Sequence, residues 1–333
     1  MSGGVNELAA SLGLDPLVPT TSPDPSFSTI VRTQGRRPDS LADALASIAA
    51  QTHGDHETLL VVHHDDAATV AAVESALPDT ARPPRLRVLH ATGGGRSRPL
   101  NVGLDAAEGD FVCFLDDDDL VTEDWLSAFA AAAGSAPGTM IRAVTLSQPW
   151  TTDGGAQPAR ATGPVERPFA AEFDLLAHLS HNETPLCSVA LPRAAMEAFG
   201  VRFDEDLPVF EDWELFVRVA QLCGVTSIAA ETSLYRRLDA GNAEHATDEA
   251  IWHQTHARVI ERLSARPVLA PIGDAQRIAS AHFVPGAGSR HDVELTALQA
   301  EHAALTRSPL RMARAFSARL GGALRARLAA RRA

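Results

Sequence analysis

Two rhythms of apolar and polar positions alternate along the first third of the chain. Short strand-like runs occur at Phe27 to Thr33, Thr58 to Val62, Arg85 to His90 and Phe111 to Leu115. Between them lie stretches with helical spacing. Ser40 to Gln51 sets Leu41, Ala44, Leu45 and Ile48 on one face, Ala67 to Ala76 is a second helix, and a third opens near Arg98 or Pro99 and ends at Gly109. The order β-α-β-α-β-α-β predicts an α/β fold with a mainly parallel sheet flanked by helices. Such sheets bind ligands at the carboxyl ends of their strands. The run Phe111 to Leu115 leads directly into four aspartates, Asp116 to Asp119.

Further along, the pattern predicts a helix over Asp124 to Ala133, a strand over Met140 to Leu146 and a Gly- and Pro-punctuated excursion from Gln148 to Pro168. A helix over Ala170 to Leu179, a strand over Leu186 to Leu191 and a helix from Arg193 to Phe199 follow. Glu211 to Cys223 reads as a helix stopped by Gly224, and Ser227 to Ala230 as a last strand. Beyond it the spacing predicts helices near Asp248 to Arg262, Asp292 to Leu305 and Pro309 to Arg332. At the other end, Val5 to Leu12 is a short helix before a Pro-, Ser- and Thr-rich connector. The expected organisation is therefore a leader over 1–26, a main domain over 27–242 and a helical C-terminal extension over 243–333.

Composition removes several chemistries. All 29 basic residues are Arg, because the chain has no Lys, so no phosphate-loop lysine or Schiff-base lysine is available. Cys113, Cys187 and Cys223 are far apart in apolar settings, which suits free thiols rather than a disulfide frame or a Cys-pair metal site. No run of about 18 apolar residues occurs and the N-terminus lacks a signal-peptide pattern, so a cytoplasmic protein is expected. The net charge is −13, yet Thr306 to Ala333 holds eight Arg and no acid. An acidic body argues against nucleic acid as a partner. The basic tail, with Leu310, Phe316, Leu320 and Leu324 at helical intervals, admits three roles: peripheral contact with the inner face of a membrane, a homodimer contact, or a solvated end.

Two acidic sites carry candidate chemistry. Asp116 and Asp118, two residues apart, share a face if the chain stays extended beyond the strand, and paired carboxylates suit a hard cation, Mg2+ or Mn2+, shared with a diphosphate. Asp117 and Asp119 read as support or as a cap. Glu211 and Asp212 open a helix whose Trp213, Leu215, Phe216, Val219 and Leu222 face inward. There a carboxylate is either favoured by the helix dipole alone or is a general base taking a proton from a hydroxyl.

Three segments in order, "FSTIVRTQGRRPDSLADALASIAAQT", "GGGRSRPLNVGLDAAEGDFVCFLDDDD" and "HNETPLCSVALPRAAMEAFGVRFDEDLPVFEDWELFVRVA", resemble the family 2 inverting glycosyltransferases of the GT-A fold. The resemblance covers roughly Phe27 to Asn242. It implies a transferase that moves a sugar from a nucleotide-sugar donor to a glycan or lipid-linked acceptor, in cell-envelope or exopolysaccharide synthesis, with Mn2+ or Mg2+ as cofactor. Asp116 and Asp118 match the family's metal and diphosphate aspartates, and Asp212 its catalytic base. Arg32 and Thr33 fall where the nucleotide is held, and Arg96, Asn101 and Gly103 match the donor-side loop and Asn-x-Gly. Two places differ from the family. His63-His64-Asp65-Asp66 stands where an acidic pair recognises the base, so that His63 does a different job on the donor side or Asp65 is displaced into it. Leu238-Asp239 follows Tyr235-Arg236-Arg237 where relatives carry a His, with His245 a little beyond. A nucleotide- or glycan-binding member without turnover and a sugar nucleotidyltransferase remain the alternative functions.

Overall fold

The computed structural model describes residues 4–11, 13, 15, 16, 22, 24–152, 159–239, 248–268, 273 and 276. The chain divides into two units, Met1–Pro271 and Ile272–Ala333, and the described residues belong almost wholly to the first. The expected helices at 292–305 and 309–332, the basic tail and His245 lie outside the described residues.

In chain order the elements are α1 (Val5–Ser11), β1 (Phe27–Thr33), α2 (Pro38–Ala49), β2 (His56–His63), α3 (Ala67–Ala76), β3 (Leu86–Ala91), α4 (Ser97–Ala106), β4 (Phe111–Asp116), β5 (Leu120–Val121) and α5 (Trp125–Ser135). They continue with β6 (Met140–Thr151), β7 (Arg160–Ala161), α6 (Leu175–His178), β8 (Val189–Pro192), α7 (Arg193–Ala198), α8 (Glu211–Cys223), β9 (Val225–Leu238) and α9 (Glu249–Ser264). The sheet runs β3-β2-β1-β4-β8-β6-β9-β5, with β7 on β6. Its first four strands are parallel, as the alternating pattern predicts. The other half is mixed: β8 runs antiparallel to β4 and β6, β9 parallel to β6, and β5 antiparallel to β9.

Both faces of the parallel half are covered, which is why its strands read as continuous apolar runs rather than strict alternation. Successive residues still divide between two cores. Ile30, Leu59, Val61, Val112 and Phe114 pack with Leu100 of α4 and with Leu215, Phe216 and Val219 of α8. Val31, Leu60, Val62, Cys113 and Leu115 pack on the other side with Leu41, Leu45 and Ile48 of α2 and Trp125 and Phe129 of α5. A third cluster joins Trp213 and Val217 of α8 to Val259 and Leu263 of α9. The N-terminal helix α1 contacts α8, with Val5 packed on the first core and Ala9 buried.

Four predicted elements differ from the structure for physical reasons. The helix expected over Ala170 to Leu179 is only Leu175–His178. The carbonyls of Ala170 and Ala171 accept from the buried Arg142 guanidinium (2.7 and 3.1 Å), and Asp174 caps the short helix at Leu176 and Ala177. Leu186 to Ser188 form a 3-10 turn after Pro185, so that β8 begins at Val189. Finally, β6 and β9 are much longer than expected. Their polar outer halves, including Pro149 and Glu231 to Ser233, lack a strand pattern but pair with each other through shifts of register near Val144.

Candidate active site

Strand register builds the centre. Arg32 is the partner of Asp116 across the parallel β1–β4 ladder. Its guanidinium donates from Nε to Asp116 Oδ1 (2.5 Å) and from Nη2 to Oδ2 (3.0 Å), a two-pronged pairing, while Nη1 reaches Glu211 Oε1 at 2.7 Å and the Arg96 carbonyl at 3.2 Å. Arg96 donates to the same Glu211 oxygen (3.1 Å). One ionic chain, Asp116–Arg32–Glu211–Arg96, thus ties the end of β4 to the N-terminus of α8.

The acidic run does not stay extended. The amide of Asp119 donates to the Asp116 carbonyl (3.1 Å), so the chain turns, and it is the turn that brings carboxylates together. Asp116, Asp118 and Asp119 each present one oxygen, all within 4.8 Å of one another. Opposite ligands of an octahedral cation at ~2.1 Å lie ~4.2 Å apart. Three oxygens cannot all be opposite one another, and adjacent ligands lie only ~3.0 Å apart, so the set suits Mg2+ or Mn2+ by its hard oxygen donors and must draw together to hold one. Asp117 faces away, accepting from Thr33 Oγ1 (2.5 Å) and from Arg37. Arg37 also donates to Asp118 Oδ2 (2.6 Å). Behind the turn, the fully buried Arg236 donates to the Asp118 carbonyl and its backbone amide donates to Asp119 Oδ1 (3.0 Å). Trp150 lies under this guanidinium at 5.0 Å.

Burial and charge divide the carboxyls. Burial pushes Asp116 up, but the Arg32 charge and hydrogen bonds, with Arg96 and Arg37, outweigh it and hold it below its ordinary value. Burial raises Asp118 to about 6 against the pull of Arg37, helped by Asp117 and Asp116, and raises Asp119 further. Protons therefore compete with a cation at these two oxygens.

Glu211 and Asp212 open α8 from an unusual start. Phe210 has φ 63°, a left-handed conformation that costs a bulky residue ~1 kcal/mol or more. Its ring is wedged among Trp213, Trp252 and His256 at centroid distances of 5.5, 4.9 and 5.9 Å, which fixes the bend. The two acids then separate in character. Burial raises Glu211, but Arg96 and Arg32 reverse this and keep it ionised, whereas burial and the Glu211 charge push Asp212 to about 7. Asp212 is half-buried and accepts the Trp213 amide (2.7 Å). A carboxylate near neutrality beside an ionised partner is suited to proton transfer.

The remaining expected donor residues sit around this centre in supporting contacts. His63, at the end of β2, hydrogen-bonds through Nε2 to the Gly93 carbonyl (2.8 Å), and Asp65 accepts the Gly93 amide (3.0 Å). Together they grip the loop before α4, where Gly93 and Gly94 have φ of 59° and 68°. Asn101 is buried and exchanges two hydrogen bonds with the Phe203 backbone (3.0 Å each) while donating to Glu205 (2.9 Å). A Cβ on Gly103 would lie 2.5 Å from Ile30 Cγ2, so glycine lets α4 seat on β1. The Asn-x-Gly pair thereby fixes α4 and the segment leading to α8. Gln51 and Thr52 likewise fasten the end of α2 to residues 122–126. Where a His was sought, Leu238 is buried and Asp239 accepts from Thr151. Arg37 and Arg236 were missed as parts of the centre, and Asp119, expected only as support or a cap, presents an oxygen beside those of Asp116 and Asp118. The Arg-only composition and an inward-facing polar position in β9 were the available signals.

Residues 28–189 match the family model described as glycosyl transferase family 2. That span contains Arg32, Arg37, Arg96 and Asp116 to Asp119 and stops before Glu211 and Asp212. Among curated proteins, the chain is 39% identical over 94 residues to the O-antigen biosynthesis protein RfbC of Myxococcus xanthus, covering 28% of this chain and 7% of that protein. It is 36% identical over 101 residues to the succinoglycan biosynthesis protein ExoM of Rhizobium meliloti (strain 1021), covering 29% and 32%. The fold is similar to that of S. aureus TarS 1–349 in complex with UDP-GlcNAc, at TM-score 0.53 and 21% identity over 76% of this chain and 70% of that one. It is also similar to the mannosyltransferase PcManGT from Pyrobaculum calidifontis in complex with GDP-Man and Mn2+, at TM-score 0.50 and 17% identity over 92% and 88%. The β-α order and the acidic turn at the end of β4 lie within residues 28–189, the just under half of the chain that matches glycosyl transferase family 2, and the fold is GT-A-like.

Proposed function

We propose that this chain transfers a sugar from a nucleotide-sugar donor to a hydroxyl of a glycan or lipid-linked acceptor in one inverting displacement, within surface or secreted polysaccharide synthesis. Support for the donor class comes from the family and from the UDP-GlcNAc and GDP-Man bound by proteins of similar fold. The two curated relatives, each matched over less than a third of this chain, act in O-antigen and succinoglycan biosynthesis.

The observation that carries the reading is the ionic chain Asp116–Arg32–Glu211–Arg96, which joins the acidic turn to the helix start bearing Asp212. Asp116, Asp118 and Asp119 would hold Mg2+ or Mn2+, and a bound cation supplies charge compensation for the departing nucleoside diphosphate. Arg32 and Arg96 orient Glu211, and Glu211 keeps Asp212 basic enough to accept the proton of the attacking hydroxyl. Thr33 and Asp117 hold the acidic turn at the mouth of β1, while His63 and Asp65 shape the Gly93 loop on the donor side. Inversion follows from a base that leaves no covalent intermediate.

Binding of UDP- and GDP-sugars, measured by calorimetry with Mn2+ and again with chelator, tests the donor site. One donor binding to wild type only with metal, and lost in Asp118→Asn, is the expected result. Metal-independent binding unaffected by Asp118→Asn would remove the cation site from the account.

A further inference from the structure

Three guanidinium groups surround the acidic turn, and they are not equivalent. Arg236 is inaccessible, with 0% of its side chain exposed, and also meets Asp43 (3.2 Å) and the Ser40 carbonyl (3.4 Å). Arg32, 12% exposed, is fixed by Glu211 and the Arg96 carbonyl. Arg37 is different. It stands at the N-terminus of α2 just before Pro38, its side chain is 25% exposed, and its guanidinium bridges Asp117 and Asp118 from the open side. A divalent cation on Asp118 must therefore share that carboxylate with a guanidinium charge already bound to it, and like charges on one carboxylate repel strongly in a partly buried site.

We propose that Arg37 is a gate on the cation site: anchored on Asp117, its guanidinium occupies the Asp118 carboxylate in place of the metal, and transfers to the donor diphosphate when metal and donor load together. Cation and diphosphate then bind cooperatively, because each relieves what opposes the other: the diphosphate supplies a new partner for Arg37, and the cation offsets the phosphate charge beside four aspartates. The metal alone is held off. Arg36, next in sequence and exposed, makes a charge-matched control. The inference rests on the reading of Asp116, Asp118 and Asp119 as the cation site.

Equilibrium dialysis of Mn2+ against the full chain tests it, using wild type, Arg37→Gln and Arg36→Gln with and without inorganic pyrophosphate. The gate predicts that Arg37→Gln binds Mn2+ alone at least tenfold more tightly than wild type, while Arg36→Gln changes by less than about twofold. It also predicts that pyrophosphate tightens Mn2+ binding at least tenfold in wild type and far less in Arg37→Gln. Arg37→Lys, which keeps the charge but cannot fork across two carboxylates, should fall between, and serves if Arg37→Gln folds poorly by urea unfolding. Equal Mn2+ affinity in wild type and Arg37→Gln, or equal gains from both glutamines, would overturn the gate while leaving the cation site standing. No Mn2+ bound by any of the proteins would overturn both.

Discussion

Arg32 and Asp116 face each other across the β1–β4 ladder, and the guanidinium of one spans both carboxylate oxygens of the other at 2.5 and 3.0 Å. Because Arg32 also holds Glu211, a single side chain couples the sheet's carboxyl edge to α8. Position and charge in the site both depend on it.

Arg32→Met removes the partner of two carboxylates that are at most a quarter exposed. Leaving buried charges unpaired costs ~3 kcal/mol or more, whereas breaking an exposed pair costs under ~1 kcal/mol. Urea unfolding should therefore show a loss of about 3 kcal/mol for Arg32→Met. For Arg202→Met, which breaks the exposed pair with Asp105, the loss should be small. Similar midpoints for the two variants would contradict the coupling.

Gly103→Ala should destabilise by about 1–3 kcal/mol, because its Cβ meets Ile30 side-chain atoms at 2.5 and 2.9 Å. If the glycine serves packing of α4 on β1, then Gly103→Ala combined with Ile30→Ala recovers part of the loss, a non-additive double-mutant cycle. Strict additivity in thermal unfolding would show that the two positions do not press on each other.

The acid limb of kcat/KM should lie near pH 7, where Asp212 titrates, with activity rising as the carboxyl loses its proton. Glu211→Gln removes the neighbouring negative charge that helps raise Asp212, so the limb should move to lower pH. Stability follows the same proton with opposite consequence. The folded Asp212 holds its proton above the ordinary 3.8, so its contribution is fully present below that value and is lost as pH rises towards about 7. Asp212→Asn should thus gain stability relative to wild type as pH increases over that window. A limb that Glu211→Gln leaves in place would assign it to another group.

Much of the fold was legible because its first half obeys local rules. β1 and α8 match their predicted bounds, and the parallel strands announce themselves as apolar runs closed on both faces. The long β6–β9 pair was not legible, since its outer residues are polar and acquire strand structure only by pairing with each other. In the site, Asp116, Asp118 and Asp212 stood out as acids at element ends. Arg32 and Arg96 entered through the family resemblance, but Arg37 and Arg236 did not stand out, because they reach Asp118 from 81 and 118 positions away. Asn101 and Gly103 were visible as a motif, but only packing against Phe203 and Ile30 shows the work they do in the fold. Among the described residues no helix is long and apolar enough to cross a membrane.

The central claim is that Asp212 is the base of a sugar transfer whose donor is held at the acidic turn. Its most direct test is single-turnover transfer by Asp212→Asn, with Mn2+ and the donor identified by binding, alongside donor affinity in the same protein. The account predicts a rate lower by about 10²–10⁴ with donor affinity unchanged, since the lost step is proton removal from the acceptor. Transfer at the wild-type rate by Asp212→Asn would contradict it.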